Sequence, residues 1–397
     1  MRFFVVLLVL FCSPSINAYE RINGVYEARV KIENRTDEAR NKAIQQGLEQ
    51  VLIRYTGYSG IGQFPELETE FNNAQRYVIE YGVETSSYPL PDGLGVIEGD
   101  SLWIRYNANL IDQLAKSLEL PIWPTWRPSV QYMVVTQLWG EPHFPSREEQ
   151  PALFLQLQSI FQIRGLNASY LNSAMSGFNA SRIWTMDTQT ADRLVQNSTA
   201  DIVIIIRITP GSPDSTLDML FMSAGKDTRL RRTSTSLLEG LNDGLNDYID
   251  SLSSQLAFLG GADQDLELYL RVDGVRSFSE YRTLLDQFAG LEQVIFARMD
   301  HADDRGVRFL LRYQSDQALL IDSIVAITGL QLIDTTSPRG VLPENEQINN
   351  SQQQSLGFGM PGSLQNPLRF FNPDQNFLPR SSLSRDSLPM DSARSIR

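Results

Sequence analysis

The chain has 397 residues, 42% of them hydrophobic, enough apolar material for genuine cores and enough length for about two to three domains. Its 47 acidic and 34 basic residues leave a formal charge of −13, a field that repels phosphate backbones and anionic lipid and so argues against a nucleic-acid partner or electrostatic membrane docking. The single cysteine, Cys12, excludes an internal disulfide.

The first eighteen residues place Arg2 before an apolar run from Phe3 to Cys12 and a polar stretch ending at Ala18. This is the order of a secretory signal peptide. A spanning helix needs about 20 apolar residues, more than this run supplies. Cleavage is expected after Ala18, releasing a periplasmic protein without a transmembrane segment. Lipidation at Cys12 is the competing reading, disfavoured by the bulky Phe11 before it.

Residues 19–120 read as a first α+β domain. Tyr26, Ala28, Val30 and Ile32 alternate with charged residues as a strand with one buried face. A helix follows, capped by Thr36, closed by Gly57 and striped with Ala43, Ile44, Leu48, Val51 and Leu52; Gly47 in that stripe marks a close backbone approach. A second helix is expected over 65–77, then a strand to about Glu84, a turn-forming stretch 86–99, a strand at 102–106 and a helix ending before Pro121.

The connector 121–128 carries Trp123, Trp126 and Arg127 among prolines. These residues could form an aromatic and cationic recognition patch, or the tryptophans could clamp the first domain to the second. Residues 129–262 read as a middle α+β domain: a strand at 130–135, helices at 150–164 and from Thr188 to 197, a fully buried strand ADIVIIIRI, two further strands and a long helix from 236 to 259. Residues 263–334 follow the order βαββαβ, the ferredoxin-like plan, with Ser277 capping the first helix. The tail, 335–397, is rich in Pro, Ser, Asn and Gln without periodicity and reads as disordered.

Several motifs fail on context. GFGMPG at 357–362 matches a dinucleotide-binding pattern but lies in the tail, without the strand and helix that receive a pyrophosphate. GYSGIG at 57–62 has Ile61 where a nucleophile elbow needs glycine, and only His143 and His301 are available as bases. DHADDRG at 300–306 lacks the alternating oxygens of a calcium loop and reads as a hairpin turn. No catalytic, cofactor-binding or metal-binding residues are assigned.

The segments YEARVKIENRTDEARNKAIQQGLEQVLIRYTG and LWIRYNANLIDQLAKSLELPIWPTWRP resemble the bacterial family known as domain of unknown function 2066, exported proteins mainly of gamma-proteobacteria. The resemblance covers recognisable motifs to residue 128 and the order of elements to 334. That family has no established activity, so it implies export and an α+β fold and transfers no site. The resulting expectation is a periplasmic accessory or binding protein that contacts another envelope protein. The alternative is a periplasmic hydrolase or transferase whose carboxylates converge only in the fold.

Overall fold

The computed structural model describes residues 19–90, 95–137, 140–171, 177–223, 226–260, 266–333, 361–364 and 366–372. The expected leader, Met1–Ala18, lies outside them, as does Gly357–Met360 of the GFGMPG motif. The fold is mixed α+β, built from several small sheets with helices packed on them. Among the described residues, no helix is long and apolar enough to cross a membrane.

The first unit contains β1 (Glu20–Arg21), β2 (Glu27–Lys31), α1 (Asp37–Thr56), α2 (Glu68–Asn72), β3 (Val78–Pro89), β4 (Val96–Tyr106) and α3 (Ala108–Ser117). The Thr36 side chain accepts the Ala39 N–H at the start of α1, and Gly57 ends it at φ 75°. The buried stripe of α1 packs on an antiparallel sheet ordered β2-β4-β3. A Cβ on Gly47 would lie 2.4 Å from Tyr106 Oη, which explains a glycine within the stripe.

Two local expectations need correction. The helix expected at 65–77 is only α2, flanked by 3-10 turns at Pro65–Leu67 and Ala74–Tyr77. The turn expected at 86–99 is mostly ladder, since Ser86 pairs with Gly99 and Pro89 with Val96. Pro89 is tolerated because β3 is an edge strand and its missing N–H breaks no inner ladder.

The connector forms β5 (Pro121–Ile122) and β6 (Trp126–Arg127). The second unit then runs β7 (Val130–Thr136), α4 (Pro151–Arg164), β8 (Ala168–Tyr170), α5 (Ala180–Trp184), α6 (Thr188–Asn197), β9 (Ile202–Thr209), β10 (Ser215–Ser223), β11 (Lys226–Ser234), α7 (Leu237–Leu256) and β12 (Phe258–Leu259). Its sheet order is β11-β10-β9-β7-β8. Helices α4 and α7 cover Ile202, Ile204 and Ile206 on one face, while α5 and α6 cover Val203 and Ile205 on the other. Burial on both faces accounts for the unbroken apolar run of β9.

The third unit runs β13 (Leu266–Asp273), α8 (Phe278–Ala289), β14 (Val294–Ala302), β15 (Gly306–Tyr313), α9 (Gln317–Thr328) and β16 (Gln331–Ile333), and so carries the βαββαβ order. An additional strand, β17 (Leu368–Phe371), comes from the tail and changes the sheet order to β14-β15-β13-β17-β16. Thus one part of the segment expected to be disordered is ordered, because Leu368 and Phe370 supply the alternate apolar residues that the sheet buries beneath its helices.

Candidate site at the junction of the three units

The connector is stitched to both flanking units by backbone hydrogen bonds. Strand β6 pairs with β1, β5 pairs with β12, Ile22 N donates to Thr125 O at 2.9 Å, and Trp123 N donates to Tyr55 O at 2.9 Å. Trp123 is 2% exposed and Arg127 1%, so neither offers a surface to a partner; Trp126 alone of the three is partly exposed. Of the two readings of Trp123, Trp126 and Arg127, this burial fits a clamp between the first and second units rather than a recognition patch.

Arg127 explains how a cation is held there. Helices α1 and α4 end near it, and the last carbonyls of a helix lack intrahelical partners and carry partial negative charge. Arg127 Nη2 donates to Arg54 O at 2.6 Å, Nη1 to Arg164 O at 2.5 Å and Nε to Pro124 O at 2.9 Å. One side chain thereby caps a helix from each of two units, with its guanidinium 3.9 Å from the Trp123 ring centre. Gly165, at φ 64°, leaves the necessary space, since a Cβ there would meet Arg127 Nη1 at 2.6 Å.

Two further arginines complete the cluster. Arg54 donates to Gly24 O at 2.8 Å and to Glu27 O at 2.6 Å. Arg164 donates to Gly57 O and to Asp250 Oδ1, the latter at 2.6 Å. Burial, followed by the neighbouring Arg54 and Arg164, pushes Arg127 well below the usual arginine range. Burial brings Arg54 to about 10, and it also lowers Arg164, opposed by Asp250. Arg54 and Arg164 escape a sequence reading because cations near helix ends ordinarily read as solvated caps, and Asp250 because a carboxylate on a long helix ordinarily reads as its solvated face. The available signal was spacing: Arg164 follows Leu153, Leu157, Ile160 and Phe161 on the buried stripe of α4.

The GYSGIG loop belongs to this junction. Ser59 donates through its hydroxyl to Asp250 Oδ2 at 2.6 Å and through its N–H to Oδ1 at 2.9 Å, while Ser253 Oγ donates to Gly57 O. Asp250 thus ties the loop to α7 while its Oδ1 also accepts from Arg164, so Ser59 is held in a structural hydrogen-bond network. In DHADDRG, Asp303 accepts both terminal nitrogens of Arg271 and the N–H groups of Arg305 and Gly306, closing the β14–β15 turn.

A cleft of about 330 Å³ opens at the junction, where Tyr26, Tyr55, Asp112, Lys116 and Glu292 gather from the first and third units. Tyr26 Oη donates to Asp112 Oδ1 at 2.9 Å. Burial, then Asp112, raises both phenols above the usual tyrosine range. Asp112 and Glu292 are themselves exposed. The cleft offers hydrogen-bonding groups, and both of its carboxylates stand open to solvent.

A family model described as Domain of unknown function (DUF8605) matches residues 20–124. This overturns the resemblance to domain of unknown function 2066, a different family. No curated protein and no solved structure matches the chain.

Proposed function

We propose that this is a periplasmic accessory protein without catalytic activity, and that it binds another envelope protein by strand pairing along β3. The observation that supports this reading is the edge itself. Strand β3 pairs only with β4 among the described residues, and Ile79, Tyr81 and Val83 are 57%, 44% and 46% exposed along it. An unpaired strand edge with exposed apolar side chains is a template for another extended chain. Glu80 and Glu84, which could repel such a chain, are engaged by Arg105 and Arg29.

The opposite treatment is visible at β11, an edge strand carrying Lys226, Asp227, Arg229, Arg231 and Arg232. Arg231 and Arg232 there are also engaged, by Asp218 and Asp247, but β11 offers an incoming strand none of the exposed large apolar side chains that line β3. A photo-crosslinking residue placed at Ile79 or Val83 in living cells should yield a discrete adduct with an envelope protein, and one at Thr228 on β11 should not. Equal adduct patterns from both edges, or none from β3, would remove the support for this reading. A hydrolase or transferase acting through Asp112 and Glu292 is less well supported, because both carboxylates are exposed.

A further inference from the structure

The third unit contains a complete βαββαβ set before the tail strand is added. In a ferredoxin-like sheet, the last strand of that set lies against the first. Here β17 separates them, parallel to β13 and antiparallel to β16. Strand β16 has no buried residue, and β17 is its ladder partner among the described residues.

The inserted segment is recognised at several atoms. Leu368 and Phe370 enter the core beneath α8 and α9, and Phe370 is 0% exposed. Arg369 points to the opposite face and donates to Asp273 Oδ2 at 2.5 Å. Before the strand, Tyr269 N donates to Gly362 O at 2.7 Å, Gly362 N donates to Asn366 O at 2.8 Å and Gln317 Nε2 donates to Pro361 O at 3.3 Å. Gly362, at φ 90°, accommodates this turn, and a Cβ there would lie 2.5 Å from Leu268 Cδ1. The final glycine of GFGMPG thus serves a strand entry.

The connection is unlike that of an ordinary hairpin. Antiparallel neighbours usually join through about 2–5 residues, whereas residues 334–367 intervene between β16 and β17. Loop-closure cost grows only slowly with length, so a connection this long does not by itself prevent the strand from being seated in the sheet.

We infer that the third unit is a strand receptor: the slot between β13 and β16 binds an extended segment of the pattern apolar–arginine–aromatic, and the chain's own residues 361–364 and 366–372 are its resident ligand. Recognition divides between backbone ladders, which accept any extended chain, and the pockets for positions 368 and 370 with the Asp273 contact, which select the sequence. This inference uses residues separate from β3 and stands or falls apart from that edge.

The test uses the full chain with a protease site inserted between Asn349 and Asn350. After cleavage, the released carboxy-terminal fragment should co-elute with the body at micromolar concentration. Excess labelled synthetic peptide spanning Pro361–Pro373 should then replace it. The same peptide with Phe370→Asp should fail to replace it, and Arg369→Ala should require about tenfold more peptide, the loss expected for one charge-assisted hydrogen bond. Loss of the fragment on cleavage would overturn the inference, as would a fragment exchanging only when the whole protein unfolds. Equal competition by the Phe370→Asp peptide would also overturn it. Circular dichroism on the cleaved protein before peptide addition confirms that the body remains folded.

Discussion

Two regions join distant parts of this chain by opposite means. At the junction, Arg54, Arg127 and Arg164 are buried against carbonyl oxygens from both flanking units. In the third unit, β17 is held by a backbone ladder and two apolar side chains, Leu368 and Phe370. A buried cation with several acceptors has no adequate substitute once those acceptors are desolvated. An extended apolar segment can be replaced by another of the same pattern. The junction is therefore a permanent weld, and the slot holds an exchangeable contact.

The largest effect is expected at the weld. Arg127→Leu should cost about 5 kcal/mol, because it removes the donors to Arg54 O, Arg164 O and Pro124 O together. Urea unfolding with separate probes in the first and second units should show both transitions shifting. If the loss is below about 1 kcal/mol, the size of an ordinary surface change, the junction is not the weld described.

Phe370→Ala should cost about 3 kcal/mol, a typical penalty for truncating a buried aromatic residue. The loss should be confined to the third unit. A fluorescent probe on α9 would report it, while a probe on α1 should remain unchanged. A shift of both probes would place β17 with the weld.

A smaller effect is expected at Gly47. Gly47→Ala inserts a methyl 2.4 Å from Tyr106 Oη, the hydroxyl that donates to Ile44 O at 2.6 Å. It should cost roughly 2 kcal/mol through overpacking. Thermal unfolding measures this loss, which should be the same in the Arg127→Leu background if α1 packing is independent of the weld.

The smallest effect belongs to Asp187, the cap of α6, which lies outside both regions. The Thr185 hydroxyl, then the N–H and hydroxyl of Thr190, lower its carboxyl from 3.8 to about 2. Its folded pKa is depressed, so its contribution is present above about pH 4 and lost as pH falls through about 2. An NMR titration of Asp187 checks the value, and fraying at acid pH should be limited to the first turn of α6.

The regular parts of the fold were legible because local signals agreed. In α1, the Thr36 cap, the Gly57 stop and the buried stripe all point to one helix. The apolar run of β9 requires burial on both faces, and the third unit shows its element order through alternating strand and helix periods. For α6, the helix begins at Thr188 as its sequence suggests, and the capping side chain is the preceding Asp187.

What remained hidden depends on distant partners. Strand β17 has four residues in a polar tail, and its register is supplied by β13 about 100 residues earlier, so no local period reveals it. Short β8 and α5 are likewise settled by packing on the second sheet. The junction was concealed by residue chemistry. Arginine ordinarily marks surface, and only the spacing of Arg164 on an otherwise apolar stripe pointed inward.

The division between weld and exchangeable strand is tested most directly by native-state hydrogen exchange on the intact chain across low denaturant concentrations. Ile22 N and Trp123 N report on the junction; Tyr269 N, bonded to Gly362 O, and the amides of Leu368–Phe371 report on the slot. The slot amides should exchange through a partial opening of lower free energy, while the junction amides exchange only with global unfolding. A single opening free energy shared by both sets would contradict that division.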